Sequence, residues 1–242
     1  MSALPRPEPA GDDRLLDLLA HGPMEIIGRF PSSNLTLLVD LGAGHDSLGA
    51  VYKPEAGERP LWDFDPGLHR RERAAWLLSE WLGWGLVPPT VIREDGPLGV
   101  GSVQLYIDVD DREHFFTLDH TTPGVTDALR AMAVFDLVAN NADRKGGHVL
   151  RGPDGHIWGI DHGLCFAAPF KLRTVIWDFA DEPVPAPLLE RIAPLADDVP
   201  AELCELIDTE EVEALKARVR RVLRFGRFPV DHSGRRVPWP LV

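Results

Sequence analysis

Asn140-Asn141-Ala142-Asp143-Arg144-Lys145-Gly146-Gly147-His148, followed across a short hairpin by Ile160-Asp161-His162-Gly163, is the stretch on which the reading of this chain turns. Upstream of it, Leu129, Met132, Phe135 and Val138/Ala139 recur in steps of three or four, which predicts a buried helix over 127–140 that empties into the polar segment. Downstream, Gly152-Pro153-Asp154-Gly155 separates 149–151 from 156–160 as a tight turn. A hairpin brings its ends together, so Asp143, His148 and Asp161 are expected to face one volume. Two carboxylates and an imidazole at one point suit a divalent cation, with an acid left over to accept a proton. Taken singly, the two aspartates also read as turn formers and the glycines as punctuation.

Toward the C-terminus, 188–195, 202–207 and 210–225 read as helices, the last with basic residues on its exposed face. Toward the N-terminus the pattern changes. A short amphipathic helix over 14–20 stops at His21-Gly22-Pro23. Three strand-like runs follow (24–30, 35–41 and 49–52), parted by Pro31-Ser32-Ser33-Asn34 and by the turn-rich 42–47, as in an antiparallel meander. A helix over 68–81 and two more strands, 87–92 and 101–107, complete a β-β-β-α-β-β front half.

Three features of this half bear on chemistry. Only four of the 25 basic residues are lysines, and one of them, Lys53, ends a strand in Val51-Tyr52-Lys53-Pro54, where a compact ammonium can hold a phosphate. Glu72, in the charged first turns of the 68–81 helix, either turns inward to pair with Lys53 or simply favours the helix N-terminus. The 31–34 hairpin loop can offer backbone N–H groups to phosphate oxygens, as can many polar turns. Their order decides between these readings. A polar β-turn, a strand lysine, a helix glutamate, an edge strand and two aspartates succeed one another as a kinase fold lays them down. The aspartates stand 18 positions apart, and His148 follows Asp143 by five, the offset of the metal-binding asparagine in Asp-x-x-x-x-Asn.

On these residues the chain resembles the phosphatidylinositol 3/4-kinase superfamily, most closely the type II phosphatidylinositol 4-kinases and their small bacterial relatives. The resemblance runs over about residues 26 to 166. It is carried by Pro31-Ser32-Ser33-Asn34, Val51-Tyr52-Lys53-Pro54, Arg71-Glu72-x-Ala74-Ala75, Leu86-Val87-Pro88-Pro89-Thr90, the 101–107 strand, Asn141-Ala142-Asp143-Arg144 and Ile160-Asp161-His162-Gly163-Leu164. HipA-like and Fam20-like kinases share the layout more distantly. The resemblance implies an α+β, bilobal protein-kinase-like fold of the atypical kind. By it the chain divides into an antiparallel β-rich N-lobe (14–107) and a mainly helical C-lobe (108–242), preceded by residues 1–13, whose Pro-rich, acidic composition reads as a disordered arm. It implies ATP as co-substrate, with Lys53 on the α/β-phosphates and paired to Glu72. Ser32, Ser33 and Asn34 would cover the phosphates, and the backbone of Gln104, Leu105, Tyr106 and Ile107 would hold adenine. Asp143 would act on the acceptor hydroxyl and Asp161 would hold magnesium. His148 departs from the pattern, because imidazole suits manganese or zinc better than magnesium. Lys145 is a second cation available to the transferring group, and Arg144 reads as a local ion-pair former.

Composition narrows the partners. With 38 acidic against 25 basic residues, a formal charge of −13 and a pI near 5.1, the 242-residue chain lacks the cationic surface that phosphate backbones require, so nucleic acid is not an expected partner. No apolar run reaches a bilayer-spanning length, no cysteine-rich lipidation segment is present, and the charge disfavours an anionic leaflet. The acceptor is therefore expected to be a hydroxyl on a protein or a soluble metabolite rather than a lipid, and the location cytoplasmic, with two cysteines suiting a reducing compartment. Two other readings stand beside the kinase. One is a nucleotide-binding pseudokinase, favoured by His148. The other is a metal-dependent hydrolase using Asp136, Asp143, His148, Asp161 and His162.

Overall fold

The computed structural model describes residues 13–42, 47–110 and 112–242. The arm expected over 1–13 lies outside them except for Asp13, which opens the first helix instead. The turn expected at 42–47 also lies outside them from 43 to 46. The structure is mixed α/β, and the chain divides into two compact units, Met1–Asp108 and Val109–Val242.

In the first unit, α1 (Asp13–His21) precedes β1 (Met24–Arg29), β2 (Leu37–Leu41), β3 (Leu48–Pro54), α2 (Leu68–Leu82), β4 (Thr90–Gly96) and β5 (Gly99–Leu105). The strands form one antiparallel sheet in the order β1-β2-β3-β5-β4. Side chains alternate along a strand. Leu37, Val39 and Leu41 of β2, with Ala50 and Tyr52 of β3, therefore share one buried face with Val91 and Val103, and Leu15, Leu16, Leu18 and Leu19 of α1 pack onto it. Val51 and Lys53 lie on the other face. β5 can approach β3 closely because Gly101 stands opposite Pro54, where a Cβ would come within 2.4 Å of the Lys53 carbonyl oxygen.

Helix α2 buries Ala74, Ala75, Leu78 and Leu82, and ends at Gly83, whose φ of 66° suits glycine at the helix C-terminus. Pro88 and Pro89 explain why β4 begins at Thr90 rather than at 87. Neither has an N–H to give a ladder.

In the second unit, α3 (Pro123–Ala139) starts on a proline and is buried at every position from Ala131 on. It ends at Asn140, φ 54°, a left-handed position that asparagine tolerates. There the side-chain amide donates to the carbonyls of Ala167 (2.7 Å) and Pro169 (2.8 Å) and accepts from the Lys171 N–H (2.8 Å). The loop 140–148 leads into the hairpin of β6 (Val149–Arg151) and β7 (Ile157–Gly159), paired Val149 to Gly159 and Arg151 to Ile157. Three helices follow: α4 (Ala186–Ile192), α5 (Ala201–Cys204) and α6 (Thr209–Phe225). α6 opens with a reciprocal cap between Asp208 and Glu211. Two expectations are corrected here. The helix predicted over 202–207 is a single turn, and the basic face of α6 is not wholly exposed, since Arg218 is buried.

Candidate active site

Each unit carries its own grouping of chemistry-bearing side chains. In the first, the alternation of β3 sends Lys53 to the face away from the Tyr52 cluster, and Glu72 enters from the second turn of α2. Lys53 Nζ meets Glu72 Oε1 at 2.5 Å, with the Lys53 side chain 22 % exposed and that of Glu72 only 4 %. Of the two readings open to Glu72, the inward one is realised. A carboxylate this buried requires a cation, so the pair fixes the ammonium in place and holds its charge at the strand end.

The 31–34 loop lies between β1 and β2, closed by Phe30 N–H donating to the Thr36 carbonyl at 2.9 Å. Ser32 and Ser33 are exposed, whereas Asn34 Oδ1 accepts from the Arg59 N–H at 2.9 Å. The asparagine oxygen therefore ties the loop to the segment after β3, and only its amide nitrogen can serve a phosphate. At the end of β5, the Leu105 N–H donates to Pro89 (2.8 Å) and the Tyr106 N–H to Gly49 (3.0 Å), so these two donors are committed to the fold. Gln104 is buried, and its amide donates to the Thr90 hydroxyl at 2.8 Å. The expectation that this backbone holds adenine therefore narrows to Ile107 and to carbonyl oxygens.

In the second unit the loop 140–148 is built on a buried cation. Arg144 Nη2 stands 2.9 Å from Asp136 Oδ1, with both side chains wholly excluded from solvent. The same guanidinium donates to the carbonyls of Ile160 (2.9 Å) and His148 (3.2 Å) and to His162 Nε2 (2.6 Å). Arginine only donates, so His162 accepts at Nε2 and carries its proton on Nδ1. Asn141 donates to Asp136 at 3.0 Å and accepts from the Asp143 N–H at 3.0 Å. One arginine thus joins the end of α3, the polar loop and the exit of the hairpin.

On this frame stand the three residues that the hairpin was expected to gather. Asp143 Oδ2 pairs with Lys145 Nζ at 3.2 Å. Burial pushes its carboxyl up to about 6, the negative charge of Asp161 adds to that, and Lys145 and Arg173 oppose it. His148 Nδ1 lies 2.9 Å from the Asp143 carbonyl oxygen, which can only accept, so the proton sits on Nδ1. Its Nε2 faces Asp161 Oδ2 at 3.3 Å. Asp161 itself adopts φ 59°, a left-handed conformation open to aspartate. Among the described residues no group of three or more His, Cys, Asp and Glu side chains is arranged to hold a metal. Any cation bound by Asp161 and His148 would need the rest of its ligands from substrate and water.

Two contributors escaped the sequence. Asp136 reads as a catalytic acid only in the hydrolase scheme, yet it serves as the counter-ion of Arg144; a carboxylate on an otherwise apolar helix face was the available signal. Arg173, thirty positions beyond Asp143, left none.

No family model matches the chain. It is 41 % identical over an alignment of 261 positions to Protein Rv2133c of Mycobacterium tuberculosis, covering 92 % of this chain and 94 % of that one. Among solved structures, its fold is similar to that of hydra Fam20 with sugar, with a TM-score of 0.54 at 14 % identity over 88 % of each chain. A weaker likeness, TM-score 0.46 at 13 % identity over 87 % of this chain and 94 % of the other, is to the Helicobacter pylori proinflammatory kinase CtkA.

Proposed function

The chain belongs to the family of Protein Rv2133c of Mycobacterium tuberculosis, and we propose that it is an ATP-dependent phosphotransferase, an atypical kinase moving the γ-phosphate to a hydroxyl acceptor. The observation that carries this reading is the Lys53–Glu72 pair at 2.5 Å between β3 and a following helix. An active protein kinase requires that same pair, lysine on strand β3 and glutamate on the next helix, to hold the phosphates. The likeness of fold to Fam20 supports it, as does the sequence resemblance to bilobal kinases of the phosphatidylinositol 3/4-kinase kind.

Phosphoryl transfer asks the protein mainly for charge neutralisation and positioning. Lys53 would neutralise the α/β-phosphates, with Ser32 and Ser33 covering them and Ile107 at the adenine. Asp143 would accept the proton of the attacking hydroxyl, a task suited to an acid raised to about 6. Lys145, 3.2 Å away, would steady the charge on the transferring group.

Asp161 and His148 fit a divalent ion. Their 3.3 Å separation is near the roughly 3 Å between adjacent ligands of a six-coordinate ion with bonds of about 2.1 Å. The Nδ1–H bond to a backbone carbonyl is the support a ligating imidazole needs. A magnesium or manganese ion there would supply positive charge to the phosphate oxygens, with the nitrogen donor favouring manganese.

The acceptor would be a protein hydroxyl or a soluble polyol rather than a lipid or nucleic acid, and the setting cytoplasmic. No helix among the described residues is long and apolar enough to cross a membrane.

The pseudokinase reading keeps one observation in its favour, His148 at the place of an asparagine. The hydrolase reading loses two of its five residues, because Asp136 and His162 are engaged by Arg144. Incubating the purified chain with ATP labelled at the γ-position and either metal separates the kinase from the pseudokinase, and a parallel incubation with a phosphoester and no ATP tests the hydrolase. A kinase transfers label to an acceptor hydroxyl, a pseudokinase binds without product, and a hydrolase cleaves phosphoesters without ATP.

A further inference from the structure

Within the second unit, α6, the 168–172 segment and the chain after Phe225 line a solvent-open cavity of about 830 Å³. Phe170, Trp177 and Phe228 give it apolar walls, while four arginines (218, 221, 227 and 236) and two aspartates (181 and 231) supply its charges. In a chain of formal charge −13 this is a local excess of positive charge.

The arginines are not equivalent. Arg227 is paired with Asp181 at 2.9 Å, and Arg236 lies 3.9 Å from Asp231 with its guanidinium over the Phe170 ring. Arg221 is exposed and has no carboxylate partner among the described residues. Arg218 is only 8 % exposed. Its Nε donates to the Val138 carbonyl at 2.9 Å and its Nη1 to that of Ala167 at 3.3 Å, while Nη2 is buried without a hydrogen-bond partner. Leaving a buried guanidinium nitrogen without a hydrogen-bond partner is costly, and burial brings Arg218 down to about 10 although the charge of Glu211 on the same helix opposes the fall.

We propose that this cavity is a binding site for a small amphipathic anion, a carboxylate or phosphate head on an apolar body, with Arg218 and Arg221 receiving the head and Phe170, Trp177 and Phe228 the body. The volume is that of a small-molecule site, and apolar walls with a few convergent polar groups are the usual composition of one. Arginine's planar fork matches either oxyanion. The inference stands on α6 and its neighbours alone and does not rest on the proposed kinase activity.

The test uses the full chain and three soluble probes: 3-phenylpropionate, phenyl phosphate and the uncharged 3-phenylpropanamide. Titration calorimetry is expected to show binding of at least one anion and none of the amide, and whichever anion binds more tightly identifies the head group. Arg221→Met, at an exposed position, is expected to keep the melting temperature and weaken the anion about tenfold, the loss of one charge-assisted bond. Arg218→Met is expected to abolish binding, and Arg218→Lys to restore part of it. Equal binding of amide and anion, no binding of either anion, or unchanged affinity in Arg221→Met would overturn the proposal.

Discussion

Asp136 and Arg144 face each other at 2.9 Å with no solvent reaching either side chain, and the same arginine ties the polar loop 140–148 to Ile160 and His162 at the hairpin exit. Removing one partner strands the other charge in a dry interior. Asp136→Ala is therefore expected to destabilise the protein by about 3–5 kcal/mol in urea unfolding. Asp136→Leu combined with Arg144→Met should recover part of that loss, since a buried pair is often replaceable by apolar volume. A cost below about 1 kcal/mol for the single variant would contradict the assigned role.

Lys53→Met is expected to weaken ATP binding at least tenfold in calorimetry, the loss of one charge-assisted phosphate contact. The β-sheet spectrum should be retained, because Val51 and Tyr52 hold the strand, while the melting temperature falls because the buried Glu72 carboxylate loses its cation. Wild-type affinity in this variant would remove Lys53 from the nucleotide site.

The carboxyl of Asp143 is held above its ordinary value of 3.8, at about 6. As a base it works only when ionised, so kcat/KM should rise with pH and level off above an inflection near 6. Lys145 opposes the upward shift, so Lys145→Met should move the inflection to higher pH. A profile that stays in place in that variant would contradict the ion pair's part in setting it. The same shift has a consequence for stability. The folded state binds this proton more tightly than the unfolded chain, so the group favours folding at low pH and that contribution is lost as pH rises through about 6. Asp143→Asn should accordingly raise stability at pH 7, on the order of 1–2 kcal/mol, while removing activity.

His148→Asn replaces the nitrogen donor facing Asp161 with an amide oxygen donor. The ratio of activity with magnesium to activity with manganese is expected to rise, by tenfold or so if one ligand sets the preference. An unchanged ratio would take His148 out of the cation site.

How far the sequence carried depends on whether the determining contacts are local. The hairpin that brings His148 to Asp161 announces itself in Gly152-Pro153-Asp154-Gly155, and the buried helix before it in the spacing of Leu129, Met132 and Phe135. The meander of β1 to β3 is legible for the same reason. The inward turn of Glu72 was one of two open readings, since a helix position does not say which neighbour a side chain meets. Contacts reaching far along the chain left less trace. Arg218 bonds the carbonyl of Val138, eighty positions away, and so sits buried on a helix face that composition marks as exposed. The Leu105 and Tyr106 N–H groups look available in a strand end until Pro89 and Gly49 are seen to take them.

The most direct measurement follows phosphate from ATP labelled at the γ-position, with manganese or magnesium present, in the wild-type chain and in Asp161→Asn. Metal-dependent loss of the γ-phosphate in the wild type, abolished in the variant, is the expected result. Nucleotide that binds yet keeps its label under both metals, or a variant that turns over as fast as the wild type, would contradict the assignment of this protein as a phosphotransferase.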